Sequence, residues 1–380
     1  MIYLDNAATT RPYDEVIDVM TDAMRNHWGN PSAVYTLGDD ARQIIENVRE
    51  QIAEDINASP EEIIFTSGSC EANSLAIDGF TKYNHTCFLM SRLEHTSMFE
   101  LYKHFDYAAG HRLYFIENDD DGLILIDDLL SLLKDNDWRR KLVSISFANS
   151  EIGTIQNIRN LAGLVRAFDG VIHTDATQLF PERRIDVKEL GIDMMSVSAQ
   201  KFHGPKGIGF LYVKNGVKIL PTIYGTQENG LRGGTYNTAA IAGMGEALKL
   251  TRRYQKLDSV GYVNSLRNRL LDKLMQIPGL KLNGPPVGNN RLVNNINITI
   301  DGVDAEQLVT LCSLNDIYIG KGAACQSYSP KPSRTLAAIG LTDEQAFNTI
   351  RITLDTLNTE EEIDKAGEII TKLIEKIRGE

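Results

Sequence analysis

Short apolar runs alternate with helical patterns along the first two-thirds of the chain, and this alternation restricts the fold more than any other feature. Runs typical of buried strands lie at residues 63–65, 88–90, 112–116 and 142–147. Helical spacing of apolar residues separates them, as at 126–134 and 158–168. Strands that alternate with helices form a mostly parallel sheet covered on both faces. The sequence therefore predicts an α/β fold.

Two ionisable residues follow neighbouring strands of this predicted sheet. Asp175 ends the apolar run that starts at Val171, and Lys201 follows the run at Met194, just before the helix-breaking Gly204. Ligands bind at the carboxyl edge of open α/β sheets. Pyridoxal phosphate requires an amine that bonds its aldehyde carbon and a carboxylate that keeps its ring nitrogen protonated. The pair therefore indicates a pyridoxal-phosphate site.

A third strand end suggests a place for an anion. Residues 66–73 form a small polar turn with one glycine, between the strand at 63–65 and a helical run at 74–80. Unpaired backbone N–H groups at a helix start attract phosphate. An ordinary strand-to-helix connection uses the same residue types, so both interpretations stay open at this point.

Composition excludes several classes of function. The formal net charge is −12, and such a field repels nucleic acid and anionic membranes. No apolar stretch approaches the roughly 20 residues of a membrane helix, and the N-terminus does not read as a signal peptide, so we expect a soluble, cytoplasmic protein. The four cysteines form no disulfide framework and no zinc-type spacing, so no metal site is expected.

The pattern changes after the long helical run that begins at residue 239. Helices and strands of a different order follow it, up to a charged helix that starts at residue 360. We predict a large domain of residues 15–255. A smaller α+β domain is predicted to combine residues 1–14 with residues 256–380 and to carry the loop of Cys325.

Motifs along nearly the whole chain resemble those of the cysteine desulfurases, pyridoxal-phosphate enzymes of fold type I in the class V aminotransferase family. The resemblance depends on the order of many short motifs. These are YLDNAATT, GNPS, FTSG followed by Glu71 and Asn73, Glu94-His95, NSEIGTIQ, DATQ, SAQKFHGPKGIG, GLRGGT, GAAC ending at Cys325, and IRITL.

The resemblance implies a role for each matching residue toward the cofactor. Lys201 would bond the cofactor, Asp175 would pair with the ring nitrogen, Gln178 would hydrogen-bond the ring hydroxyl, and His95 would stack on the ring and relay protons. A helix-face glutamine and a packed histidine are the plain structural alternatives for Gln178 and His95. The phosphate would be held by Ser69, Cys70, Ser198, Gln200 and Thr235. In the family the threonine reaches over from a second subunit, which implies a homodimer.

The resemblance also implies the reaction. Arg351 would clamp the substrate carboxylate in a bidentate pair, unless it serves only its strand, and Asn149 and Ser150 would lie near the substrate. Cys325 would attack the sulfur of L-cysteine, leaving L-alanine and a persulfide that passes to an acceptor protein. Cys87 and Cys312 are expected to be core thiols.

Four departures from the family pattern leave alternatives open. Ser150 replaces the second asparagine of NNEIG, Gln200 replaces a histidine, Cys70 replaces a threonine, and Asp355-Thr356 replaces a Gly-Arg pair. The aspartate is expected to oppose the carboxylate clamp of Arg351. One alternative is a desulfurase-like lyase or aminotransferase for a different or modified amino acid. Another is a catalytically silent scaffold of a biosynthetic complex.

Overall fold

A computed structural model describes residues 1–83, 85–103, 110–134, 140–322 and 332–379. The strands are β1 (Ile2–Tyr3), β2 (Ile63–Thr66), β3 (Thr86–Ser91), β4 (Arg112–Ile116), β5 (Arg140–Ser144), β6 (Val171–Asp175), β7 (Met194–Ser198), β8 (Gly209–Val213), β9 (Leu280–Leu282), β10 (Asn295–Ile300), β11 (Ile317–Tyr318), β12 (Gly320–Lys321) and β13 (Thr349–Thr353).

The helices divide into those of the first 256 residues and those that follow. The first group is α1 (Asp14–Asn26), α2 (Thr36–Ile56), α3 (Ser69–Thr81), α4 (Thr96–Lys103), α5 (Ile126–Lys134), α6 (Ile158–Ala167), α7 (Val187–Leu190) and α8 (Thr238–Lys256). The second group is α9 (Ser259–Leu274), α10 (Ala305–Leu314), α11 (Arg334–Ala338), α12 (Asp343–Phe347) and α13 (Glu360–Arg378). Short 3-10 turns lie at Pro60–Glu62, Ala199–Lys201 and Glu228–Gly230.

The main sheet has seven strands in the order β2-β8-β7-β6-β5-β3-β4. The neighbouring strands β7, β6, β5, β3 and β4 run parallel to one another. Strand β8 is antiparallel to both β7 and β2. One face packs on α1, α2, α6 and α8, while the other packs on α3 and α4. The predicted α/β fold with a mostly parallel, helix-covered sheet is confirmed.

A second, antiparallel sheet follows in the order β12-β13-β10-β9. It packs on α9, α10 and α13 to form a hydrophobic cluster separate from that of the main sheet. The N-terminal strand β1 pairs in parallel with β11, so the first residues of the chain contact this later part. The division into residues 15–255 and residues 1–14 with 256–380 stays a prediction.

One strand starts later than its apolar pattern predicts. The sequence indicates a strand over residues 292–300, but β10 begins at Asn295. The preceding residues contact another segment, because the N–H of Leu292 donates to the carbonyl of Gly153 at 2.8 Å and Arg291 forms a β-bridge with Thr154.

In the described part of the chain, no helix combines the length and apolarity that crossing a bilayer requires.

Candidate active site

A cavity of about 300 Å³ opens where the parallel strands of the main sheet end. Asp175 ends β6, and Lys201 ends the 3-10 turn that follows β7. The sequence-predicted residues that line the cavity are Ser69, Cys70, His95, Asn149, Ser150, Asp175, Gln178, Gln200, Lys201 and Arg351. The fold therefore gathers side chains that are up to 282 positions apart, from Ser69 to Arg351, around one volume.

Lys201 points toward the N-terminal segment of the chain. Its Nζ donates to the carbonyl oxygens of Ala7 at 2.6 Å and Ala8 at 2.5 Å. The side-chain amide of Gln178 donates to the same Ala7 carbonyl at 3.1 Å. The N-terminal segment thus forms one wall of the cavity and orients both side chains.

Two donors orient the buried carboxylate of Asp175. Its Oδ2 accepts from the side-chain amide of Asn73 at 2.8 Å, and its Oδ1 accepts from the backbone N–H of Thr177 at 3.0 Å. Asn73 lies on α3, so this helix holds Asp175 at the end of β6. The sequence alone did not indicate this role of Asn73, although the residue follows the FTSG motif.

The contacts of His95 determine which ring nitrogen carries the proton. The backbone N–H of Ser97 donates to Nδ1 at 3.2 Å, and the Ser97 hydroxyl lies 2.8 Å from the same atom. Because Nδ1 accepts, the neutral ring carries its proton on Nε2. His95 lines the cavity, so the ring brings a proton donor to this site.

Glu94 is a cavity residue to which the sequence analysis gave no role. Its side chain is buried, and Ser146 donates to it from the backbone N–H at 2.5 Å and from the hydroxyl at 2.7 Å. Burial raises the pKa of Glu94 to about 7, against the lowering effect of the two Ser146 hydrogen bonds. In the sequence, a role for Glu94 was indicated by its position directly before His95 in the Glu94-His95 motif.

Arg351 lies on β13 and is buried at the other side of the cavity. Its Nη2 donates to Asp5 at 2.6 Å and its Nη1 donates to the carbonyl of Ser150 at 3.1 Å, whereas its buried Nε has no hydrogen-bond partner among the described residues. Ser150 thus contacts the arginine through its backbone. The amide of Asn149 serves its own turn, because its Oδ1 accepts from the N–H groups of Glu151 and Ile152.

A family model for aminotransferase class-V matches residues 2–366. The cysteine desulfurase IscS of Clostridium botulinum is 37% identical, over 99% of this chain and 95% of the relative. This chain belongs to the cysteine desulfurases. Among solved structures, a NifS-like protein from Rickettsia africae superposes with a TM-score of 0.89 at 30% identity, with both chains fully covered. The structure of SspA in complex with cysteine gives a TM-score of 0.79 at 30% identity, over 94% of this chain and all of that one.

The protein is therefore an enzyme of the cysteine desulfurase class, with the fold of NifS-like proteins, and members of this class use pyridoxal phosphate. The cavity suits that group because it contains unmatched polar atoms. The buried Oγ1 of Thr177, a lining residue, has no hydrogen-bond partner in the described part of the chain. The turn before α3 also fits a phosphate, because α3 begins at Ser69 directly after Gly68, which has a φ of 145°, and the N-terminus of a helix attracts anions.

Two described site residues of this desulfurase, Ser198 and Thr235, do not line the cavity. Ser198 is buried at the end of β7, and Thr235 is exposed on the loop before α8. Cys325 lies outside the described residues. Cys87 and Cys312 are buried as predicted, and burial raises the pKa of the Cys312 thiol to about 12.

The expected opposition of Asp355 to the carboxylate clamp of Arg351 stays a prediction, and the ion pairs of both residues are with other partners. Asp355 contacts His203, with Nε2 at 3.0 Å from Oδ2, while the ion pair of Arg351 is with Asp5. The sequence could not indicate the contact between His203 and Asp355 because the two residues are 152 positions apart.

Within the described ranges, no group of three or more His, Cys, Asp or Glu side chains is placed to hold a metal ion.

Proposed function

We propose that this enzyme is a homodimeric, cytoplasmic cysteine desulfurase that uses pyridoxal phosphate to remove sulfur from L-cysteine. The products are L-alanine and a persulfide on Cys325, whose sulfur passes to an acceptor protein. The observation that carries the proposal is the convergence of Lys201, Asp175 and Arg351 on one cavity at the carboxyl edge of the main sheet. Relatives named cysteine desulfurase support it, as does the related protein crystallised with cysteine.

Three residues would act on the reacting part of the substrate. The cofactor supplies an electron-withdrawing ring that makes the Cα proton of a bound amino acid acidic. Lys201 would hold the cofactor through its amine, and the same amine would take the Cα proton. Asp175, fixed by Asn73 and Thr177, keeps the ring nitrogen protonated, and the Nε2 proton of His95 is available for transfer at the cavity wall.

The phosphate would lie against the N-terminus of α3. Ser69 and Cys70 contribute backbone N–H groups there, and the amide of Gln200 replaces the ring of the usual histidine as a donor. Thr235 would complete this cradle in the cavity of the partner subunit, because its own exposed side chain does not line the cavity of its own chain. Ser198 would act from the strand end behind the turn.

Arg351 would bind the substrate carboxylate through Nε and Nη2. Within the described ranges Nε makes no hydrogen bond that the substrate would have to replace, and the substrate would share or displace Asp5 at Nη2. In the sulfur-transfer step, the Cys325 thiolate attacks the substrate sulfur as the Cβ–S bond breaks. The new S–S bond stays on the enzyme, and Cβ takes a proton to give alanine.

A second candidate is a lyase or aminotransferase that uses the same cofactor on a different or modified amino acid. The engagement of both Arg351 Nη atoms and the use of the Asn149 amide within its own turn favour it, because fewer free groups remain to recognise cysteine. It predicts cofactor absorption without alanine formation from L-cysteine.

The test is to purify the enzyme with pyridoxal phosphate and to compare Lys201→Ala, Cys325→Ala and Lys206→Ala. Lys206 is an exposed lysine of the same loop and serves as the matched control. We expect Lys201→Ala to lose the visible absorption of the lysine-bound cofactor and Lys206→Ala to keep it. Cys325→Ala should keep the absorption but lose alanine and persulfide formation. Wild-type absorption in Lys201→Ala, or undiminished alanine formation in Cys325→Ala, contradicts the proposal.

A further inference from the structure

A buried ion pair joins the loop of Lys201 to the strand of Arg351. His203 lies two residues after Lys201, and Asp355 lies four residues after Arg351. The His203 side chain is 7% exposed and that of Asp355 is 10% exposed, with Nε2 at 3.0 Å from Oδ2 and 3.1 Å from Oδ1. Asp355 belongs to the Asp355-Thr356 pair, one of the four departures from the family pattern.

The hydrogen bonds of His203 specify its charge. Nδ1 lies 2.8 Å from the carbonyl oxygen of Arg11, which only accepts, so Nδ1 carries a proton. Nε2 faces both oxygens of Asp355, and Oδ1 also accepts from the N–H and the hydroxyl of Thr356. The two Thr356 donors suit an ionised carboxylate, and a proton on Nε2 gives both of its oxygens a further donor, so the ring fits this place as an imidazolium.

Other contacts hold the imidazolium in place. The ring of Tyr13 stacks on it with centroids 4.0 Å apart and planes at 18°, which favours a cationic ring. His203 also has a φ of 64°, a left-handed conformation that is unfavourable for a residue with a side chain. The surroundings of His203 maintain this conformation despite its cost.

The two segments that the pair joins are otherwise connected through the N-terminal segment. The N–H of His203 donates to the hydroxyl of Thr10 at 2.8 Å, and the N–H of Thr353 donates to the carbonyl of Leu4 at 2.8 Å. The His203–Asp355 pair is a direct side-chain link between the segments, and it lies near the residues that bond the cofactor and clamp the carboxylate.

We propose that His203 and Asp355 are positioning residues that fix the distance between the Lys201 loop and the Arg351 strand, so that the substrate carboxylate and the reacting Cα are held in register. The inference rests on the proposed function, since it concerns binding of an amino acid at that site. Neither side chain lines the cavity, so both act through Lys201 and Arg351.

The link depends on pH through the proton on His203. The titratable groups around the ring are Asp355, Tyr13, Tyr254 and Glu182, and Glu182 is occupied by the N–H of Val293 and by Arg183. Burial lowers the pKa of His203, but the charge of Asp355 and the bonds to Asp355 and Arg11 outweigh it and raise the pKa above 6.5. The link is therefore complete below pH 6.5 and is lost as the pH rises through the raised pKa.

The first arm of the test is the kinetics of alanine formation from L-cysteine. We expect Asp355→Ala to raise KM by about tenfold near about pH 6, with kcat changed less than about twofold, because the clamp is displaced while the cofactor chemistry stays intact. Asp355→Asn should rescue KM, since its amide donates to a neutral His203. Glu361→Gln removes an exposed carboxylate nearby and is the matched control.

The pH profile separates positioning from a general structural role. The ratio of KM in wild type to KM in Asp355→Asn should rise between about pH 6 and about pH 9, because only the wild-type link needs the His203 proton. An unchanged KM in Asp355→Ala, or a ratio of the two KM values that does not vary with pH, overturns the positioning proposal. Alanine formation by the wild type would still support the proposed desulfurase function in that case.

The second arm does not need turnover. In holoenzyme labelled with ¹³C at histidine Cε1, the His203 signal, assigned by its loss in His203→Gln, should titrate above 6.5 and shift to a lower pKa in Asp355→Asn. A pKa of 6.5 or less, or one that Asp355→Asn leaves unchanged, overturns the ion pair.

If the wild type forms no alanine from L-cysteine, the proposed function is refuted instead. The dissociation constant of L-cysteine, from the change in cofactor absorption, then replaces KM, and an unchanged value in Asp355→Ala overturns the proposal.

Discussion

At the residue scale, the buried carboxyl group of Glu94 makes stability depend on pH. Its pKa is about 7 in the fold and 4.5 in the unfolded chain, so the folded state binds more protons between these values. Stability therefore falls as the pH rises from 4.5 through about 7, by roughly 3 kcal/mol for this group. Below pH 4.5 both states are protonated and Glu94 contributes nothing to the dependence.

We expect Glu94→Gln to remove this pH dependence. The amide keeps the shape of the protonated acid, accepts from the Ser146 N–H and donates to its hydroxyl, so unfolding by urea should show a larger gain in stability at about pH 8 than at about pH 5. Glu361→Gln, at an exposed position, is the control and should change both values equally. A variant equally destabilised at both pH values would show that Glu94 is ionised in the fold.

Single residues also show what a sequence can and cannot predict about this site. Lys201 and Asp175 were predictable because each follows an apolar strand, and strand ends of a parallel sheet meet at one edge. The partners of such residues were not. Asn73 holds Asp175 across 102 positions, and Glu94 holds Ser146 across 52, by contacts that only the folded chain defines.

At the element scale, the start of β8 determines how closely the turn before α3 approaches β7. A Cβ atom added to Gly209 would lie 2.4 Å from the carbonyl oxygen of Val197 and 2.9 Å from the Cα of Gly68. Both are backbone atoms that cannot rotate away. The strand β8 can thus pair with both β2 and β7 only if this position lacks a side chain.

Gly209→Ala is therefore expected to destabilise the enzyme by about 1–3 kcal/mol and to weaken cofactor binding, because the displaced backbone belongs to the turn before α3. Gly163→Ala is the matched control. It lies exposed on α6, and outside the helix's own backbone no atom of the described residues lies within 4 Å of the added Cβ, so it should stabilise by about 0.5–1 kcal/mol. Thermal unfolding and cofactor titration measure the two effects. Equal behaviour of the two variants would contradict the packing argument.

The limits of sequence patterns at this scale have a physical cause. Apolar spacing predicted helices such as α5 (Ile126–Lys134) with the observed bounds, because one face of each is buried. It failed at the start of β10, where Leu292 is buried like a strand residue but bonds to Gly153 of another loop. Burial and strand pairing are separate requirements, and only the first is visible in an apolar pattern.

At the scale of the whole molecule, the proposed dimer is supported by exposed apolar side chains. Trp28 is 69% exposed, Val34 is 97% exposed and Tyr224 is 79% exposed. Tyr224 lies on the same loop as Thr235. A second chain that covered these side chains would remove their apolar surface from water, which favours association. If the covering chain is a second copy, Thr235 is brought toward a cavity that is not its own.

A shared site predicts that two inactive variants restore each other. Lys201→Ala removes the residue that bonds the cofactor, and Thr235→Glu places a carboxylate against the phosphate, so each homodimer should lack lysine-bound cofactor and alanine formation. A mixed dimer pairs the intact Lys201 of one subunit with the intact Thr235 of the other. Random reassociation of equal amounts should thus restore about a quarter of the wild-type sites. Visible absorption of the lysine-bound cofactor and alanine formation from L-cysteine both measure the recovery. If Thr235 served its own chain, every site in the mixture would carry a defect and neither signal would return.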